Sequence, residues 1–256
     1  MCLILVAKDV HSCYPLIIIA NREEYHSRPT QSLSFWHDHP TIAAGRDLTA
    51  GGTWFGLNLQ GLFAAVTNFQ EPTVAVRSDY SRGMLVLDWL RQKTEPADSH
   101  LQNHDQLQRY PGVNVISGNI TTLWWDSNRA SAPRRIPSGI SGLSNSLLDS
   151  PWHKIVYGKQ LFKTILNRSF RSDTFFELLS NRTPAKGIDA RNSGCSPDLP
   201  AAQSAIFIKG PVYGTRSSTV LLVDQQNQVQ LVERSYDPEG TILGENRLNF
   251  QLQPIA

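Results

Sequence analysis

Apolar residues in the first part of the chain fall in short, dense runs rather than in long helical stripes. Residues 3–7 and 16–20 are nearly continuous Ile, Leu, Val and Ala, separated by a polar stretch at 8–15. Runs of that length and composition predict strands buried on both faces. The second run leads directly into Asn21, Arg22, Glu23 and Glu24, so a buried strand ends in four polar side chains. Residues 27–49, interrupted by Pro29 and Pro40, predict an irregular segment. Two strands follow at 53–58 and 62–68, joined near Gly61, and the second ends in Thr67-Asn68. Residues 81–91 carry apolar side chains at helical spacing behind Ser81, a plausible N-cap. Residues 94–110 are polar and predict a further surface helix, and 113–116 with 121–125 predict a hairpin around Gly118-Asn119.

The clearest helical pattern spans 152–166, with Ser150 as N-cap and Pro151 at the first helical position. The Gly- and Ser-rich stretch 138–146 before it predicts a loop or a strand end. A second helix is predicted over 172–179, with Asp173 in its first turn. Residues 181–202 are rich in Pro, Gly, Asn and Ser and predict a long surface excursion. Strand composition returns at 205–208, 219–224, 229–234 and 248–252, with a turn at 225–228. Strands, then helices, then strands, with no repeat or linker, predict a single α+β domain over residues 1–256.

Composition narrows the functional classes. A chain of 256 residues is long enough to bury a core without metal or disulfide staples. A formal charge of +2 gives little drive toward nucleic acid or anionic membranes, so no nucleic-acid partner is expected. The three cysteines, Cys2, Cys13 and Cys195, form no CxxC pair and suit a reducing compartment. The apolar runs are too short to span a membrane or act as a leader, which predicts a cytoplasmic protein. His37 and His39 bracket Asp38 without a further ligand at zinc-like spacing, so no metal is expected. Gly51-Gly52 matches neither a phosphate-binding loop nor a dinucleotide fingerprint.

The candidate chemistry sits at Cys2, directly behind Met1. Methionine aminopeptidases remove Met before small side chains, which would leave the Cys2 thiol beside a free α-amine. Such an amine titrates near neutral pH and can act as a base for the thiol. Burial as an ordinary core cysteine is the competing interpretation.

Several fragments in a fixed order sharpen this. Met1-Cys2-Leu3-Ile4, Asn21-Arg22-Glu23-Glu24, Gly45-Arg46-Asp47, Gly51-Gly52-Thr53-Trp54-Phe55-Gly56, Thr67-Asn68, Gly142-Leu143-Ser144-Asn145 and Tyr213-Gly214-Thr215-Arg216 together resemble the NRDE family, also called the transport-and-Golgi-organisation protein 2 family. The name-giving motif departs at one place, with Glu23 where the family has Asp. The resemblance implies an N-terminal-nucleophile hydrolase-like fold, a four-layer αββα sandwich of two antiparallel sheets between helical layers. It also implies a site built from Cys2 as nucleophile, Arg22 and Glu24 holding it, Asn68 and Asn145 binding the oxyanion, and a late Arg216. Arg22 and Glu24 are two apart and share a strand face, while Asn21 and Glu23 form the competing pair. The expected reaction is cleavage of a linear amide or thioester of a small molecule, with no cofactor required. The alternative is a non-catalytic carrier of haem or of acyl-CoA and other lipids. There a thiolate could ligate haem iron, and Trp36, Trp54 and Phe55 either line an apolar pocket or pack in the core.

Overall fold

The computed structural model describes residues 2–70, 80–93, 104–186 and 204–253. Met1, Cys195 and parts of the 94–110 and 181–202 stretches lie outside them. Two antiparallel sheets carry the fold. One contains β1 (Cys2–Lys8), β2 (Leu16–Tyr25), β10 (Gly139–Leu143), β11 (Tyr213–Val223), β12 (Gln228–Tyr236) and β13 (Ile242–Gln251), in the order β10-β1-β2-β11-β12-β13. The other contains β3 (Thr30–Phe35), β4 (Ile42–Asp47), β5 (Phe55–Asn58), β6 (Leu62–Asn68), β7 (Val113–Asn119), β8 (Leu123–Ser127) and β9 (Arg134–Arg135), in sequence order.

The apolar runs dictate how these sheets stack, because alternate residues of a strand face opposite sides. Ile4, Val6 and Ile18 of the six-stranded sheet pack against Phe55, Phe63, Ile116 and Trp125 of the seven-stranded one. Leu3, Leu5, Ile17 and Ile19 point the other way. They meet α2 (His153–Leu166) through Ile155 and Phe162, and α3 (Ser172–Leu179) through Phe175 and Phe176. On the far side, α1 (Arg82–Leu90) sets Val86, Leu87 and Leu90 against Ala64, Val66 and Val115. The result is a four-layer αββα sandwich, and β1 and β2 are buried on both faces as their composition predicts. Among the described residues no helix is long and apolar enough to cross a membrane.

Several local expectations need correction. Residues 27–49 are not irregular but form β3 and β4. The first is a polar edge strand with only Leu33 buried, and the second is built on small residues, so neither shows an apolar run. The first helix of the pair begins at His153 behind Trp152, and the Ser150 hydroxyl instead donates to the Leu147 carbonyl at 2.6 Å. The 138–146 stretch follows its strand-end alternative, with β10 pairing with β1 and ending at Leu143. Residues 205–208 are buried but form no strand, and β11 starts at Tyr213 and β13 at Ile242, both earlier than the strand composition indicates.

Candidate functional site

The register of β1 on β2 sets Cys2 directly across from Arg22. Cys2 shares the parity of Ile4 and Val6, so both it and Arg22 face the space between the sheets. Arg22 is buried, yet almost every part of its guanidinium has a partner. Its Cζ lies 4.1 Å above the Trp54 ring, Nη1 donates to Thr30 Oγ1 at 3.1 Å, and Nη2 is 3.9 Å from Glu24 Oε2. Stacking on an aromatic face suits a weakly hydrated planar cation. Burial lowers the Arg22 pKa from its usual range, and Glu24 acts in the opposite sense. Trp54 can lie there because Gly45 has no side chain: a Cβ at that position would stand 2.5 Å from the ring. Glu24 is also 3.9 Å from Arg28 Nε, and Arg28 grips Asp47 Oδ2 at 2.6 and 3.0 Å.

The two asparagines occupy different places. The Cys2 backbone N–H donates to Asn145 Oδ1 at 3.0 Å, and Asn145 Nδ2 donates to the Asn68 carbonyl at 2.7 Å. Asn145 thus accepts from the Cys2 nitrogen through Oδ1 and gives one of its two Nδ2 hydrogens to Asn68. It is held there by neighbours: Ser144 Oγ donates to the Cys2 carbonyl at 2.7 Å, and Thr67 Oγ1 donates to the Ser144 carbonyl at 2.5 Å. The start of β1, the end of β6 and the segment after β10 are thus tied at one point. Asn68 ends β6 with an exposed side chain that lines the cavity beside Cys2.

Arg216 does not line that cavity. A bulge in β11 between Thr215 and Ser217 leaves it outside the ladder, and its Nη1 donates to the carbonyls of Tyr25, His26 and Arg28 at 2.8–3.1 Å. It clamps the turn that follows β2. Asn21 and Glu23 both point to the helical side of β2, but they differ. Asn21 is a satisfied staple: Nδ2 donates to the Leu179 and Ile206 carbonyls at 2.9 and 2.8 Å, and Oδ1 accepts from Ser218 Oγ at 2.6 Å. Glu23 lies one residue past the Cys2–Arg22 pair and borders the same cavity as Cys2. Both of its carboxylate oxygens are buried without a hydrogen bond.

The cavity has a volume of about 460 Å³ and is reached by Cys2, Arg22, Glu23, Glu24, Trp54 and Asn68. Burial pushes the Cys2 thiol above its usual value, and the Glu23 carboxylate adds to this, while the Glu23 backbone N–H and Arg22 pull it back. Burial also pushes the Glu23 carboxyl up to about 7. Trp36 and Phe55 belong to the core clusters and do not border the cavity, so of the three aromatics only Trp54 does. His39 is engaged by Arg91. Sequence reasoning missed two buried charges near the site. Glu233 continues the inward alternation of Val229 and Leu231, accepts from Leu33 N–H at 2.8 Å, and is pushed by burial up to about 7. Lys154 falls four residues before Gly158 on the buried stripe of α2. Helical spacing was the available signal for the second, strand parity for the first.

The model of the family described as Transport and Golgi organisation 2 matches residues 1–238. The human Transport and Golgi organization protein 2 homolog is 31% identical over 257 residues, covering 92% of this chain and 93% of the human one. The mouse Transport and Golgi organization 2 homolog is 30% identical over 276 residues, covering 99% and 100%. Among solved structures, the C2A mutant of conjugated bile acid hydrolase from Clostridium perfringens is similar with a TM-score of 0.46 and 12% identity, over 97% of this chain and 92% of that one. Penicillin V acylase from Agrobacterium tumefaciens is similar with a TM-score of 0.48 and 10% identity, over 98% and 86%. On the matched residues and the relatives' coverage, the chain belongs to the Transport and Golgi organisation 2 family.

Proposed function

We propose that, once Met1 is removed, this chain is an N-terminal-cysteine hydrolase that cleaves a linear amide or thioester bond of a small molecule. The observation that carries this is the Cys2 nitrogen held on Asn145 Oδ1 at 3.0 Å, at a cavity wall that the Cys2 side chain also borders. The freed α-amine would inherit that hydrogen bond and stay beside its own thiol. It takes the thiol proton as sulfur attacks the carbonyl carbon and a C–S bond forms. The developing oxyanion lies toward Asn68, where one well-placed donor is worth about 10²–10³ in rate. The amine then returns the proton to the departing nitrogen or sulfur, the scissile bond breaks, and water hydrolyses the acyl-cysteine. Arg22, fixed by Trp54 and Thr30, favours the anionic sulfur during attack.

The test is intact mass of the purified protein followed by exposure to panels of N-acyl amides and acyl thioesters. The expected result is loss of Met1, acyl mass on the Cys2 peptide, and no turnover in Cys2→Ala with the fold intact. Retained Met1 on active protein, or unchanged turnover in Cys2→Ala, overturns the proposal. Tight ligand uptake without turnover, by haem or an acyl-CoA in titration, would instead mark a carrier.

A further inference from the structure

Behind Cys2, on the helical side of β2, two ionisable side chains face each other with no hydrogen bonds. Glu23 is fully enclosed, Lys154 is 1% exposed, and Lys154 Nζ lies 4.0 Å from Glu23 Oε2. Neither carboxylate oxygen of Glu23 nor Lys154 Nζ has a hydrogen-bond partner. A charge moved from water into such a place is costly unless it is paired, and a loosely paired one gives little back. Lys154 is also badly placed on its own helix. It is the second residue of α2 after the Trp152 cap, where the helix dipole presents its positive end and disfavours a cation. No acidic residue occupies that first turn to offset it. Core packing does not require a lysine there, and neither does helix stability. Local choices that break the rules of folding without a compensating gain mark functional positions.

We propose that Lys154 is a positioning residue for the nucleophile, acting through Glu23: from α2 it holds a carboxylate in place behind Cys2. This rests on Cys2 being the reacting group. The amino terminus acts on the same pair and favours the anionic state of both Cys2 and Glu23. Lys154 faces Glu23 from α2, and Cys2 at the start of β1 borders the same cavity as Glu23. From β11 comes the uncharged Thr215, whose hydroxyl accepts from Ile208 N–H, and Tyr213, whose hydroxyl donates to the Glu23 carbonyl. Within β2, Arg22 and Glu24 lie on the opposite face. The thiol feels Glu23 and Arg22 directly. Lys154 is set against that carboxylate at 4.0 Å. A cation beside two acids favours every anionic state of the pair, so its removal must move their joint titration upward.

The experiment is the pH profile of iodoacetamide alkylation, read on the Cys2 peptide by mass spectrometry so that the other cysteines do not contribute. It needs no substrate, so failure of the hydrolase proposal and failure of this one remain separate. Lys154→Met is expected to shift the Cys2 profile upward by about one unit, roughly a tenfold loss of alkylation rate below the midpoint. Lys154→Arg should restore most of it. Glu23→Gln should shift the profile downward, and adding Lys154→Met on that background should move it little further. An unshifted profile in folded Lys154→Met, or an equal shift with and without Glu23, overturns the proposal. If Lys154→Met does not fold, Glu23→Gln decides: a profile that stays in place overturns the coupling, and a downward shift that the added Lys154→Met leaves unchanged supports it.

Discussion

Asn21 and Glu23 sit two residues apart on one strand and point to the same side, yet they are opposites. Every polar atom of Asn21 is used: it ties β2 to the end of α3, to the segment at Ile206 and to Ser218 on β11. The Glu23 carboxylate has no hydrogen bond and faces a lysine ammonium in the same condition. Glu233, with one backbone N–H donor from Leu33, lies between these extremes. Buried polar groups in stable folds are almost always satisfied. The contrast therefore separates a side chain kept for architecture from one kept for something the folded state alone does not need.

The largest expected effect is at the satisfied end. Asn21→Ala orphans two buried carbonyls and the Ser218 hydroxyl, and should cost about 4 kcal/mol in urea unfolding. The Cys2 alkylation profile should not move, and a loss below about 1 kcal/mol would erase the contrast. The second test concerns pH. Burial raises the Glu233 carboxyl from 4.5 to about 7, so the native state binds a proton that the unfolded chain releases earlier. Stability should then fall as pH rises from about 4.5 to about 7, and Glu233→Gln should recover about 2–3 kcal/mol at pH 8 while gaining almost nothing at pH 4. A wild-type stability that rises through that interval in step with the variant contradicts it. Third, the double variant Glu23→Met, Lys154→Met should match the wild type or exceed it by about 1 kcal/mol in thermal unfolding, because well-packed apolar residues replace an ill-paired couple. A clear loss would place Glu23 with Asn21 as architecture. The smallest effect is on the other face of β2. Thr30→Val removes the hydroxyl that receives Arg22 Nη1 and should cost about 1 kcal/mol, since Trp54 keeps the guanidinium in place.

Much of this arrangement could be read from residue order, and the parts that could not have physical causes. The double-sided burial of β1 and β2 follows from runs without alternation, and parity alone sets Arg22 and Glu24 on one face. Parity also conceals Glu23, because it assigns that side chain to the helical layer. Cys2 stands at the very start of β1, where a cavity reaches both sides of the neighbouring strand. Strands β3 and β4 escaped because an edge strand reading Thr-Gln-Ser-Leu-Ser-Phe has no apolar rhythm, and Ile-Ala-Ala-Gly-Arg-Asp carries too little bulk. Ser150 and Pro151 look like a helix start, but the hydroxyl bonds backwards to Leu147 and the helix opens later. Asn145 was identifiable as part of the site from its motif, whereas its orientation depends on Asn68 and Cys2, residues far away in sequence.

Gly45 lies on the neighbouring sheet, and its missing side chain is the seat on which the Trp54 ring rests. A single methyl group there would tip the indole off its ledge and let water reach the guanidinium from one side. The harm would then surface far from its cause. A Gly45→Ala protein could keep its circular dichroism and melt normally, yet present Cys2 with a hydrated, wandering arginine. Loss of activity traced to such a glycine would be a fault of solvation rather than of folding.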